Sequence, residues 1–205
     1  MVYYGQKSLS METKSDNELM KMITKKNTRA LKVLVRRYDI QIFNFLLRYT
    51  GSREIARELI QETFTRLWFA APTFDQKRGH FKGWLYTIAL NLARNEMSRK
   101  EYTYRFLGLE EIAAGGHDGD DPENASPDNL LENRELKAAV ARALGRLKPH
   151  FREAIIMKNY QQLTFKEMAE AAGTPESTLK ARYHRAIALI KQHLDENGGQ
   201  KRCAT

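Results

Sequence analysis

Residue types that read nucleic acid gather at three places along this 205-residue chain. No grouping suits bond-making chemistry equally well. Ser177, Thr178, Lys180, Ala181, Arg182, His184 and Arg185 follow one another along one helical repeat. Serine and threonine hydroxyls bond phosphates or base edges, and lysine and arginine donate to guanine or phosphate. Ala181 leaves room for close approach. At 100° per residue, Leu179, Tyr183, Ile187, Ile190 and Leu194 form the inward stripe, with Ser177, Ala181, His184 and Arg185 opposite. Arg182 lies nearer the packed side, as a phosphate clamp or an intramolecular partner. His184 is most simply a solvated residue.

A second grouping mixes rings and cations: Phe74, Lys77, Arg78, His80 and Phe81, followed by Trp84, Asn91, Arg94 and Arg99. Rings stack on unpaired bases and cations track phosphates, a combination suited to single-stranded nucleic acid. Unstacking a base costs a few kcal/mol, which such a pocket must offset. Phe74, Phe81 and Trp84 serve equally well as core. The third grouping is a polar ridge, Glu58, Gln61, Glu62 and Thr65, in an otherwise basic region. It fits a basic partner, although a solvated helix face explains it as simply.

The elements that carry these residues are helices. Thr164 and Glu167 make a capping box, with Leu163 and Met168 at the positions of a hydrophobic staple. Gly173 suits a left-handed helix end, and Thr174-Pro175 opens the next helix. Residues 164–186 therefore spell a helix-turn-helix, a unit that commonly sets its second helix in the DNA major groove, or else a plain helical hairpin. Upstream, Ser15 and Glu18 form another capping box, and a longer helix carries Leu31, Leu34, Tyr38, Ile42, Phe45 and Tyr49 on one stripe. Gly51 stops it, Ser52 caps a helix to about residue 70, and Phe81 opens one to about residue 100. The expected fold class is all-α, with two small helical domains: an extension over 1–14, a bundle over 15–102, a flexible acidic linker over 103–132, a second unit over 133–196 and a tail over 197–205.

Charge sharpens this division. The net charge is +9 from 34 basic and 25 acidic residues, yet residues 106–133 hold eight acidic residues and no Lys or Arg. Two basic bodies on an acidic tether suit a polyanion gripped in two places. The single cysteine, Cys203, excludes an internal disulfide framework and is consistent with a reducing cytoplasm. There is no signal-peptide core, and no apolar run approaches a membrane span. The five histidines lack metal-binding spacing, and no phosphate-binding loop or dinucleotide fingerprint occurs, so neither an enzyme nor a cofactor or metal is expected.

ELIQETFTRLW (58–68), FKGWLYTIALNLARNEMSRK (81–100) and LTFKEMAEAAGTPESTLKARYHRA (163–186) together resemble bacterial RNA polymerase sigma factors of the extracytoplasmic-function group. The resemblance covers most of the chain outside its ends and the linker. It implies a promoter-specificity subunit whose partners are core RNA polymerase (β′ clamp and β flap) and promoter DNA, and often an anti-sigma factor. By resemblance, Glu58, Gln61, Glu62 and Thr65 face the clamp. The segment Phe74–Phe81, with Lys77, Arg78 and His80, captures a flipped minus-ten base. Trp84, Asn91, Arg94 and Arg99 hold the melted strand. Ser177, Thr178, Lys180, Ala181, Arg182, His184 and Arg185 read the minus-thirty-five element. The alternative is a free-standing helix-turn-helix regulator, which binds its operator without polymerase.

Overall fold

The structure is a computed structural model that describes residues 11–77, 79–99 and 127–202, with side chains of the last segment described over 135–195. Among the described residues there are eight α-helices and no strand, as an all-α chain requires. Local chemistry sets their ends. Ser15 Oγ accepts from the Glu18 amide at 3.3 Å and Glu18 Oε2 accepts from the Ser15 amide at 2.9 Å, opening α1 (Asp16–Thr24). Asn27 Oδ1 takes the amides of Arg29 and Ala30 to start α2 (Thr28–Thr50). Ser52 caps α3 (Arg53–Ala70) through the Ile55 amide. These side chains accept from amides that have no partner inside the helix. A short 3-10 turn, Ala71–Thr73, leads through a loop to α4 (Phe81–Arg99).

The apolar stripes then dictate the packing. Leu34, Ile42, Phe45 and Leu46 of α2 meet Ile55, Leu59 and Leu67 of α3 and Leu85, Tyr86 and Leu90 of α4, all buried. Tyr38 donates to Asp16 Oδ2 at 2.5 Å and Arg37 pairs with the same carboxylate, which ties α1 to α2. Each large side chain removed from water contributes about 1.5–3 kcal/mol.

The second half comprises α5 (Pro127–Arg146), α6 (Pro149–Ile155), a π-helical turn (Ile156–Tyr160), α7 (Phe165–Ala172) and α8 (Glu176–Arg202). Helix α5 begins at Pro127, ahead of the expected start of the second unit at 133, and α8 continues to Arg202, into the segment expected as a tail. Of the acidic tether expected over 103–132, residues 103–126 lie outside the described residues, and 127–132 belong to α5. Leu144, Leu147, Ile155 and Ala186 form a small core of their own.

A larger cluster joins the halves. It runs from Leu19 of α1 through Phe45 and Tyr86 to Met157, Leu163, Met168 and Leu179. Buried polar groups line the junction. Tyr86 donates to Gln161 Oε1 at 2.5 Å, and Lys82 Nζ donates to the Gln161 carbonyl at 3.0 Å. Arg152, buried, donates to the carbonyls of Leu144, Gly145 and Leu147 at the end of α5, and to that of Tyr49 in α2. The Arg48 guanidinium lies 4.2 Å from the Tyr160 ring centre.

Phe45 is fully buried and packs edge-on against Tyr86 at 5.2 Å. Phe45→Ala is expected to destabilise the fold by about 3–5 kcal/mol, measured as a lower urea midpoint with the denaturant slope unchanged.

Candidate nucleic-acid interface

The helix-turn-helix forms as its spacing requires. Thr164 Oγ1 accepts from the Glu167 amide at 3.2 Å, and Glu167 Oε2 accepts from the Thr164 amide at 2.8 Å. Burial tends to raise the Glu167 carboxyl, but the Thr164 bonds and neighbouring positive charge together hold the group below the usual carboxylate range. Gly173 ends α7 at φ 61°, a conformation in which a side chain would be strained. Leu179 and Ala186 anchor α8 inward. Ser177, Lys180, Ala181, His184 and Arg185 stand exposed, and Thr178 is half-buried. Lys180 pairs with Glu176 at 2.7 Å, a contact half open to solvent and easily exchanged for a phosphate or base. Arg182 is half-buried. Burial first, and then Arg182 and Lys148, lower the His150 pKa.

In the first half, Phe74, Phe81 and Trp84 meet as one aromatic group, with ring centres 5.3–6.2 Å apart. Phe81 lies in the core. It is 3% exposed and packs edge-on against Tyr38 at 5.4 Å, so no base reaches it in this conformation. Phe74 and Trp84 are half-buried, while Lys77 and His80 are exposed; Arg78 lies outside the described residues. Along α4, Asn91, Asn95 and Arg99 form an exposed polar strip.

Arg94 departs from that strip. Its Nη2 lies 2.8 and 3.0 Å from the two carboxylate oxygens of Glu153, and Nε lies 3.2 Å from Oε2. Nη1 donates to the Ala172 carbonyl at 3.3 Å, at the C-terminus of α7. The Glu153 side chain is 2% exposed and that of Arg94 35%. Burial pushes the Glu153 carboxyl up, and the Arg94 charge offsets part of the rise. Arg94 is therefore an interdomain partner in this conformation, because a buried carboxylate demands a cation. Sequence reasoning missed Glu153. Its signal was a charged pair, Arg152-Glu153, set inside the apolar run from Phe151 to Met157.

On α3, Glu58, Gln61 and Thr65 are exposed, and Glu62 pairs with Arg66 at 2.7 Å, half open to solvent. Phe69 continues the same stripe four residues beyond Thr65 and is 71% exposed, with Lys26 Nζ 6.0 Å from its ring centre. The polar pattern alone did not reveal this open aromatic ring at the end of the ridge. Among the described residues no group of three or more His, Cys, Asp or Glu is placed to hold a metal ion, and no helix is long and apolar enough to cross a membrane.

A body built around a core helix hairpin, followed by a helix-turn-helix with an exposed basic face, is the architecture of a two-part DNA-reading factor. Sigma-70 region 2 matches residues 34–102 and sigma-70 region 4 matches residues 137–190. The two regions together span more than half of the chain, and it belongs to the sigma-70 family. Its relatives carry the extracytoplasmic-function (ECF) label. The ECF RNA polymerase sigma factor SigE of Mycolicibacterium smegmatis is 27% identical over 82% of this chain and 62% of its own length. The ECF RNA polymerase sigma-E factors of Salmonella typhimurium and Escherichia coli K12 are each 28% identical over 87% of this chain and 94% of their own. The fold is similar to that of CnrH in complex with the cytosolic domain of CnrY (TM-score 0.65, 24% identity, 88% of this chain and 97% of that one). It is also similar to the sigma factor RpoE in complex with the anti-sigma factor NepR from Bartonella quintana (TM-score 0.59, 20% identity, 80% and 96%).

Phe81→Ala separates core from contact. Its expected effect is a loss of about 3–5 kcal/mol of stability, seen in thermal melts. Intact stability combined with weakened single-strand binding would instead make Phe81 a base contact.

Proposed function

We propose that this chain is an ECF sigma factor that binds core RNA polymerase and directs promoter-specific initiation, with its first half engaging the minus-ten element and α8 reading the minus-thirty-five element. The observation that carries this reading is the co-occurrence, on one chain and in family order, of an exposed acidic ridge, an aromatic-cationic loop with its polar helix, and an exposed basic recognition face. A free-standing repressor needs only the last. The protein acts by binding, not by catalysing a reaction, and works in the bacterial cytoplasm beside the polymerase.

In this reading Glu58, Gln61, Glu62 and Thr65 meet the β′ clamp, with Phe69 as an apolar anchor at the ridge's end. Aromatic anchors ringed by polar groups carry a large share of interface energy. Phe74, Lys77, Arg78, His80, Trp84, Asn91 and Arg99 form the minus-ten surface, and Arg94 joins them once released from Glu153. Ser177, Thr178, Lys180, Ala181, His184 and Arg185 form the upstream reader, with Arg182 bracing it from behind. The Bartonella relative is bound by an anti-sigma factor, and a partner of that kind is the expected form of control here.

Run-off transcription with core polymerase on genomic fragments tests the function. Discrete start sites that depend on this chain are expected, whereas tight duplex binding with no stimulation of transcription would favour the repressor. Gln61→Ala with Glu62→Ala, and separately Phe69→Ala, should each weaken polymerase binding about tenfold without lowering thermal stability, since all three positions face solvent. Replacing Lys180 and Arg185 by Ala should cost about 1–3 kcal/mol per base contact on promoters that need the upstream element, and little on those that lack it.

A further inference from the structure

The turn between α1 and α2 carries charge of one sign. Between Glu18 and Asp39 there are seven Lys or Arg and no Asp or Glu. Arg37 is bound to Asp16, and Arg36 lies 3.6 Å from Glu12. Lys25, Lys26, Arg29 and Lys32 are exposed and meet no carboxylate among the described residues. Lys26 is also strained. It closes α1 in the left-handed region, at φ 62°, where glycine is the usual residue. Its amide donates to the Ile23 carbonyl at 2.8 Å, and its ammonium stands 5.1 Å from the Trp68 ring centre. A glycine would close the same turn without strain, so a charged side chain is what the strained position adds. The neighbouring elements hold nucleic-acid chemistry. Helix α1 packs against the Ala71–Thr73 turn, which leads directly into the aromatic-cationic loop Phe74–Phe81.

We infer that Lys25, Lys26, Arg29 and Lys32 form a phosphate-binding surface that continues the minus-ten loop, gripping the DNA strand beyond the nucleotide held at Phe74–Phe81. Cations that meet no carboxylate have no ion pair to break when a phosphate arrives, and each phosphate neutralised releases counterions. Such contacts position a strand without reading its sequence. The indole of Trp68 steadies the Lys26 ammonium at the end of α3, which lowers the cost of ordering it on binding. Charge then sorts the two faces. The ridge of Glu58 and Glu62 on α3 repels a strand and suits the basic partner, whereas the α1–α2 turn attracts the strand. An acidic protein segment would match the same cations, but continuity with the loop favours DNA. This rests on the assignment of the loop to the minus-ten strand.

Probe length tests it, with the full chain bound to core polymerase and labelled non-template strands from a promoter located by start-site mapping. A short probe spans only the minus-ten element, and two longer probes add a few nucleotides on its 5′ or its 3′ side. One variant carries Lys25→Gln, Arg29→Gln and Lys32→Gln. A control with the same change of charge carries Arg142→Gln, Lys148→Gln and Lys191→Gln, all exposed positions of the second half. The unsubstituted protein should hold one longer probe about tenfold more tightly than the short one, and the first variant should lose that gain. The slope of log affinity against log salt for that probe should fall by about two, at roughly 0.7 per phosphate contact on a single strand. Affinity for the short probe and for core polymerase should not change, and the control should match the unsubstituted protein. Lys26→Gly should weaken the longer probe about threefold with no drop in melting temperature, because glycine takes this turn without strain. Equal affinity for short and long probes, or a first variant no different from the control, overturns the proposal. Loss of core-polymerase affinity in its place does so too, since the turn would then face the polymerase. A lower melting temperature in Lys26→Gly with unchanged strand binding strikes that lysine from the surface. If even the short probe fails to bind the unsubstituted complex, the minus-ten reading of the loop is itself refuted.

Discussion

The relation between the two halves depends on the Glu153 carboxylate, which is almost wholly withdrawn from water and meets its guanidinium partner on α4. Removing a carboxylate from water costs several kcal/mol, recovered only where a cation and well-aligned hydrogen bonds replace the solvent. Arg94 supplies both, and its remaining amino group takes the Ala172 carbonyl at the end of α7, where a positive charge also suits the helix dipole. One side chain thus satisfies a buried acid and a helix terminus on two different elements. Arg152, its sequence neighbour, bridges in the opposite direction, gathering the last carbonyls of α5 and one of α2. Apolar packing between the halves supplies the larger energy, but apolar surfaces slide; these polar contacts fix the register.

That register divides the surface by task. Helix α7 packs against α4, so the first helix of the helix-turn-helix supports α8 and also covers part of α4. The α8 face with Lys180, Ala181 and Arg185 is exposed, as are Glu58, Gln61 and Thr65 on α3. Close approach of α7 to α4 is possible because Gly83 has no side chain where Glu167 and Glu170 pass. A small residue in a helix that otherwise favours bulk is the local trace of this long-range contact.

Much of the local structure was legible in the sequence because it depends on contacts within a few residues. The boxes at Ser15/Glu18 and Thr164/Glu167, the helix stop at Gly173 and the stripe through Leu34, Ile42 and Phe45 all formed as their spacing required. The outward face of α8 was legible for the same reason: once Leu179 and Ala186 point inward, Lys180, Ala181 and Arg185 must point out. The aromatic residues were ambiguous, since a ring suits a base and a core equally, and only the proximity of Tyr38 placed Phe81 inside. Phe69 was overlooked because a search for polar pattern passes over an apolar residue on a polar stripe.

The sequence by itself determined eight helices' worth of propensity, their caps, the faces they bury and the family to which the chain belongs, all set by short-range periodicity. Only the tertiary structure decided which charged side chains are free to meet DNA. Arg94 and Glu153 are separated by 59 residues along the chain, with the acidic segment between them, and no spacing rule links them. Their pairing follows from a free-energy balance, burial of a carboxylate against its partner's charge, that exists only once the two halves are in contact.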